Sequence, residues 1–181
     1  VSDKIKVIEA LLEKVDKIIV GGAMAYTFLK ANGVEVGNSR VELDQLDFAK
    51  TCLEKANGKI ILPVDHVVAD DFENPDVIKP SDINIDEGFM GLDIGDKTIE
   101  LYKEALSDAK VVFWNGPMGV FEDSRYEKGT RSICEYLASL DSAFTVIGGG
   151  DSAAASKQFN CKEKFSHVST GGGASLEMIE N

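Results

Sequence analysis

Short apolar runs, each followed by glycines and then by a helical pattern, recur along the chain. Four such segments lie at 17–33, 111–122, 144–159 and 166–180, and a further strand is predicted within 59–70. The runs are continuous and rich in Val and Ile, which is typical of parallel strands buried on both faces. Helical patterns are predicted at 3–14, 24–32, 42–56, 97–108, 127–139, 152–159 and 174–180. This alternation predicts an α/β sheet with right-handed crossovers.

Two local features refine this prediction. Gly33 and Gly58 stand where helix C-caps are expected. Residues 71–96 break the alternation, because they are acidic, contain Pro75 and Pro80, and alternate only weakly between apolar and polar positions. We expect this stretch to form a surface excursion, with a small hairpin, within one domain.

Composition narrows the class of protein. The 181 residues are 44% hydrophobic and 28% charged, which suits one globular domain. The net charge of −12 disfavours nucleic acid and anionic membranes as partners, and no apolar run is long enough to span a membrane. Three widely spaced cysteines are typical of reduced thiols in a cytoplasmic protein. The chain begins inside an amphipathic pattern instead of at a methionine, so we expect a piece, or one domain, of a longer chain.

Glycine-rich turns after predicted strands are candidate phosphate-binding sites. They lie at 21–22, 148–150 and 171–173. Glycines let backbone N–H groups approach an anion, and the following helix N-terminus favours negative charge. Because loops at the carboxyl ends of parallel strands share one sheet edge, the three turns are expected to converge on one ligand. Tight βα turns with close packing are the alternative for any single loop.

Asp151 follows the second glycine turn directly. Gly148, Gly150 and Ala153 match the dinucleotide fingerprint formally, but the acid expected about 20 residues further on is missing. A carboxylate in this turn would repel a bare pyrophosphate, whereas Mg²⁺ prefers one or two carboxylates together with phosphate oxygens and water. Asp151 is therefore predicted to hold Mg²⁺, and a helix N-cap role is the alternative.

Several long motifs together resemble the phosphoglycerate kinase family, in its C-terminal, nucleotide-binding half. The resemblance covers 1–181. Its most specific strings are VSDKI at 1–5, GGAMAYTFLKA at 21–31, LPVD at 62–65, GLDIG at 91–95, WNGPMGVFE at 114–122, GGGDSAAA at 148–155 and SHVSTGGGASLE at 166–177.

The resemblance implies a fold and a function. The implied fold is a Rossmann-like three-layer α/β/α domain with a mostly parallel sheet of about six strands. The family transfers a phosphoryl group reversibly between 1,3-bisphosphoglycerate and ADP in glycolysis, with Mg²⁺. A monomer is implied, in which an N-terminal lobe absent from these residues binds 3-phosphoglycerate or 1,3-bisphosphoglycerate. We expect the 181 residues alone to bind MgADP or MgATP weakly and not to turn over.

Carried over position by position, the resemblance implies a set of site residues. Nucleotide-binding roles fall on Lys4, Gly22, Gly91, Gly116, Glu122, Gly149, Gly150, Asp151 and Ser152. Catalytic roles in phosphoryl transfer fall on Lys4, Gly171, Gly172 and Gly173. Glu122 matches the acid that binds the ribose hydroxyls, and a carboxylate suits a diol because it accepts from both donors. A solvated surface acid is the alternative for Glu122.

Two other functions stay open at this point. The partial dinucleotide fingerprint allows the cofactor domain of an oxidoreductase, although the missing acid opposes it. A non-catalytic interaction domain with the same fold is also possible. The presence of Lys4, Glu122 and Asp151 speaks against it, because a decayed site should lose such residues.

Overall fold

The structure, a computed structural model, describes residues 8–168. Two compact units divide the chain between Thr98 and Ile99. The strands are β1 Ile18–Ile19, β2 Ile60–Ile61, β3 Asp65–Ala69, β4 Ile78–Asp82, β5 Met90–Ile94, β6 Val111–Trp114, β7 Phe144–Ile147 and β8 His167–Val168. Helices lie at α1 Ala23–Ala31, α2 Leu46–Ala56, α3 Asp96–Leu106, α4 Lys128–Ala138 and α5 Gly150–Gln158. Short 3₁₀ turns occur at Leu43–Gln45, Ser124–Tyr126 and Lys162–Lys164.

The first unit contains a parallel pair of strands, β1 and β2. The apolar faces of α1 and α2 pack into one core with this part of the chain, and Phe28, Ala49 and Cys52 are completely buried there. Both helices end as the sequence predicts. Gly33 and Gly58 have φ of 87° and 88°, a left-handed conformation that glycine adopts without a Cβ penalty.

The first unit also contains an antiparallel sheet in the order β4-β3-β5. The sequence predicts a hairpin within 71–96, but the hairpin consists of β3 and β4, so its first strand lies before that stretch. Strand β5 then returns along the other side of β3. Pro80 lies in β4, opposite Val67. Since β4 is an edge strand, Pro80 can lack an N–H without breaking the hydrogen bonds between two inner strands.

The second unit carries three parallel strands in the order β6-β7-β8. Helices α4 and α5 connect successive strands, as the βα pattern predicts. Trp114 at the end of β6 is 5% exposed and stacks at a tilt on Phe165, with 6.0 Å between ring centroids. Within residues 8–168 the predicted α/β class is therefore confirmed, with parallel strands in both units.

Candidate functional site

The N-terminus of α5 follows the glycine turn at 148–150. Gly149 is the N-cap residue, and it makes no side-chain cap hydrogen bond. The first N–H groups of a helix have no partner within the helix, so here they remain available to an anion. Asp151 is in the first turn of α5 and is exposed. The sequence thus places a set of backbone donors and one carboxylate side by side.

Gly149 and Gly150 are glycines for different reasons. Gly149 has φ 91° and ψ 147°, a region that is open essentially to glycine alone. A Cβ at Gly149 would also come within 2.8 Å of Asn115 Oδ1. At Gly150 the φ is not left-handed, and among residues 8–168, apart from its chain neighbours and its own helix backbone, no atom lies within 4 Å of the place where a Cβ would stand. Internal packing therefore explains Gly149 but not Gly150.

Ser152 connects this turn to the turn that follows β6. Its side chain is completely buried, and its Oγ accepts a hydrogen bond of 2.6 Å from Gly116 N–H. The Gly116 carbonyl accepts a bond of 2.7 Å from Trp114 Nε1. The structure thus brings Gly116, Gly149 and Ser152 together at the carboxyl ends of β6 and β7. It gives the Ser152 hydroxyl a partner inside the protein.

Glu122 lies in a turn beyond that cluster and is exposed. Its neighbour Phe121 is 2% exposed, and the Phe121 carbonyl accepts a hydrogen bond of 3.1 Å from Gln158 Nε2. The glycine turn therefore leads into the first residue of α5, and Gln158, the last residue of α5, holds the turn that contains Glu122. Nine residues of helix separate these ends by about 12 Å.

In the first unit, Gly22 precedes α1 in the same way that Gly149 precedes α5. Gly22 has φ 71°, and no side chain caps α1 either. Acidic residues are absent from the first turn of α1. This helix N-terminus also presents backbone donors, as the sequence predicts for the loop at 21–22.

Gly91 lies in β5 against the α1 side chain of Tyr26. A Cβ at Gly91 would overlap the Tyr26 hydroxyl, and Gly91 N–H donates to Ser39 Oγ at 2.8 Å. Burial, with the nearby Asp93 carboxylate as the smaller cause, raises the pKa of Tyr26, so the phenol stays neutral at ordinary pH. Packing accounts for the glycine at 91. A nucleotide-binding role for Gly91 stays a prediction.

Some residues that position the site left no signal in the sequence. Thr130 on α4 accepts a hydrogen bond of 3.1 Å from Met118 N–H through its Oγ1, which holds the far side of the turn at 115–118. Ser39 and Tyr26 fix Gly91. Each acts over a long stretch of chain, so no local spacing marks it.

Lys4, Gly171, Gly172 and Gly173 lie outside the described residues, and their roles stay predictions. Between residues 8 and 168, no group of three or more His, Cys, Asp and Glu side chains is arranged to hold a metal ion. Mg²⁺ held by Asp151 would then need its other ligands from phosphate and water, which is its usual mode in nucleotide sites. No helix in the same part of the chain is long and apolar enough to cross a bilayer.

Comparisons with known proteins agree on one family. The model of the family described as phosphoglycerate kinase matches residues 1–181. A phosphoglycerate kinase from Spiroplasma citri is 58% identical over 180 residues, which cover 99% of this chain and 44% of that protein. One from Fusobacterium nucleatum is 57% identical over 181 residues, with 99% and 46% covered. The chain thus spans less than half the length of these curated relatives.

Solved structures give the same result for the fold. The structure of phosphoglycerate kinase from Coxiella burnetii superimposes with a TM-score of 0.93 at 40% identity, covering 99% of this chain and 47% of that one. The crystal structure of the Pyrococcus horikoshii enzyme gives a TM-score of 0.84 at 32% identity, covering 99% and 46%. Both agree with the Rossmann-like α/β class predicted from the sequence.

Proposed function

The chain belongs to the phosphoglycerate kinase family, and from that premise we propose that residues 1–181 are its C-terminal nucleotide-binding domain. In this proposal the chain binds MgADP or MgATP for reversible phosphoryl transfer between 1,3-bisphosphoglycerate and ADP. The lobe that binds 3-phosphoglycerate or 1,3-bisphosphoglycerate is its partner and is not among these residues. The protein acts as a monomer in the cytoplasm. The 181 residues alone bind nucleotide weakly and do not turn over.

The observation that carries this proposal is the uncapped N-terminus of α5 at Gly150. Glycine in a helix is less favourable than alanine by up to about 1 kcal/mol. Neither crowding nor a left-handed φ requires it at Gly150. A polyphosphate that fills the open space and accepts hydrogen bonds from the first N–H groups of α5 accounts for both the glycine and the missing cap.

Asp151 would hold Mg²⁺ beside those phosphates. Its exposure fits an ion that keeps most of its water, and its place next to the anion-binding N–H groups fits an ion that also binds phosphate oxygens. When bound, the ion neutralises part of the negative charge of the phosphates. Glu122 would accept hydrogen bonds from the ribose hydroxyls. Gly116 in the second unit, and Gly22 and Gly91 in the first, are proposed to keep the nucleotide-binding roles that the family resemblance gives them.

Phosphoryl transfer needs positioning and charge stabilisation more than acid–base chemistry. Among the described site residues the donors are backbone N–H groups. Positive charge therefore has to come from helix N-termini, from Mg²⁺ and from Lys4. Gly171, Gly172 and Gly173 are proposed to offer further N–H groups to the transferring phosphoryl group.

Calorimetric titration with ADP, with and without Mg²⁺, tests the proposal. We expect Gly150→Ala to weaken MgADP binding about tenfold or more, since the new methyl group occupies the phosphate space. We expect Asp151→Asn to weaken binding only when Mg²⁺ is present. Without Mg²⁺ the loss of a nearby negative charge should leave ADP affinity unchanged or raise it.

Asp141→Asn is the matched control for Asp151→Asn. Asp141 is exposed and precedes the opposite end of β7, so its loss changes net charge equally without touching the turn. If both site variants bind MgADP as tightly as Asp141→Asn does, the proposed phosphate site is wrong. If NADH binds as tightly as MgADP to the unaltered chain, the dinucleotide alternative is favoured instead.

A further inference from the structure

Both backbone polar groups of Gly116 have hydrogen-bond partners. Its N–H donates to Ser152 Oγ at 2.6 Å, and its carbonyl accepts from Trp114 Nε1 at 2.7 Å. Its φ of 120° is one that glycine reaches without a Cβ penalty. Both hydrogen bonds are short, so rotation of either peptide that flanks Gly116 would break a good contact.

Ser152 is the only one of these partners that belongs to the helix of the phosphate turn. It is completely buried in the first turn of α5, two residues after Gly150. Gly149 and Asn115 also approach closely, because the missing Cβ of Gly149 leaves room for Asn115 Oδ1. The hydrogen bond from Gly116 N–H to Ser152 Oγ therefore joins the turn at 115–118 to the turn at 148–152 where the two turns pack together.

We propose that Ser152 is a positioning residue that couples these two turns, and that its hydroxyl does not contact the nucleotide. This inference rests on the proposed function for its effect on binding, and it changes the role that the family resemblance gives to Ser152. The effect of phosphate binding at the N–H groups of α5 would be transmitted through Ser152 Oγ to Gly116. The turn proposed to contact the nucleotide would then be set by the helix that holds its phosphates.

Burial distinguishes this role from direct ligand contact. A hydroxyl in contact with phosphate has to be exposed when the ligand is absent, whereas Ser152 is 0% exposed. Its oxygen already accepts from a backbone donor that would otherwise lose its partner. The hydroxyl thus positions the turn at Gly116 without contacting the ligand itself.

The chain offers a matched control on the same helix. Ser156 is also completely buried in α5, but its Oγ donates to Ala153 O at 2.7 Å, a contact within the helix. Ser156→Ala therefore removes the same group from an equally buried place without touching Gly116. Ser152→Thr retains a hydroxyl and tests rescue.

Two readouts on the 181-residue chain decide the matter. Trp114 is the single tryptophan, so its indole N–H gives one cross-peak in a ¹⁵N–¹H correlation spectrum, and it reports the Gly116 carbonyl. In Ser152→Ala we expect the Gly116 amide to move upfield and the indole peak to shift. Both peaks should stay in place in Ser156→Ala and return in Ser152→Thr. Calorimetry should show MgADP binding weakened about five- to tenfold in Ser152→Ala alone.

The possible results separate this inference from the proposed function. If the unaltered chain binds no MgADP, the proposed function fails, while the two cross-peaks still decide whether Ser152 fixes the turn. If the chain binds MgADP and Ser152→Ala binds it as Ser156→Ala does, the coupling is wrong. Unmoved cross-peaks in Ser152→Ala would also overturn it. Melting temperatures of all three variants identify any variant that has lost its fold. If Ser152→Ala has lost its fold, Ser152→Thr is compared with Ser156→Ala instead.

Discussion

Asp65 is expected to stabilise the first unit by capping a helix from a distant strand. Its Oδ1 accepts from Thr98 N–H at 2.8 Å and its Oδ2 accepts from Lys97 N–H at 3.0 Å. The Thr98 hydroxyl donates to the same carboxylate at 2.5 Å and accepts from the Asp65 N–H at 3.1 Å. Lys97 and Thr98 are the second and third residues of α3. Asp65 thus supplies the acceptors that the start of this helix lacks.

The size of the effect follows from these contacts. Replacement of a good cap by alanine costs about 0.5–2 kcal/mol. A hydrogen bond to a charged group contributes about 1.5–3 kcal/mol, of which partial exposure of Asp65 removes part. We expect Asp65→Ala to lower the free energy of unfolding by about 2 kcal/mol. Asp65→Asn should lose about half as much, because one acceptor oxygen remains.

Urea unfolding followed by far-ultraviolet circular dichroism measures this loss, provided that the slope m is unchanged. Asp82→Ala is the control, because Asp82 pairs with Asp65 across β3 and β4 but is exposed at the sheet edge. Such a surface change should stay within about 0.5 kcal/mol. If Asp65→Ala is no more destabilising than Asp82→Ala, the cap contributes nothing and the reasoning is refuted.

Three further changes test other parts of the structure. Burial lowers the pKa of His66 below its ordinary value. The stability that neutral His66 provides is therefore complete above about pH 6.5 and is lost as pH falls through the lower folded pKa. His66→Gln should reduce this acid sensitivity in pH-dependent unfolding, and a pH profile equal to that of the unaltered chain would contradict this. Gly149→Ala should lower the free energy of unfolding by about 1–3 kcal/mol in the same assay, because its φ of 91° strains any other residue; an unchanged value would show that the turn adapts. Burial raises the pKa of the Cys52 and Cys134 thiols. Both thiols should therefore react with a thiol reagent only as fast as the units that contain them open. Reaction at the rate of a free thiol would contradict their burial.

Local patterns predicted helices α1 to α5, and the structure agrees within a few residues. Helix α2 is predicted at 42–56, and the chain forms a 3₁₀ turn at Leu43–Gln45 followed by helix at Leu46–Ala56. Apolar periodicity and glycine caps are set by neighbours along the chain, so they can be seen without the fold. The weak alternation in 71–96 indicated a hairpin there, but the hairpin begins with β3 before that stretch, and the return of β5 beside β3 was not predicted.

Contacts between distant residues could not be predicted in this way. Asp65 and Thr98 are separated by 33 residues, and Ser152 and Gly116 by 36. His66 offers a clearer case. Its Nε2 donates to Ile83 O at 3.0 Å, while its Nδ1 is buried without a hydrogen-bond partner among the described residues. Nothing beside His66 in the sequence distinguishes it from the exposed His167, because burial is decided by the strands that pair around it.

The glycines show how a motif should be weighed as a sign of ligand binding. A glycine-rich string suggests a ligand only at those positions that the fold itself leaves unexplained. Gly91 and Gly95 are required by the Tyr26 and Asp65 side chains against them, and Gly149 by its φ and by Asn115. Gly150 has none of these reasons and begins a helix without a side-chain cap. The functional content of the string at 148–150 therefore lies in Gly150, and Gly150→Ala is the substitution in which a gain in helix propensity and a loss of nucleotide affinity should be measured together.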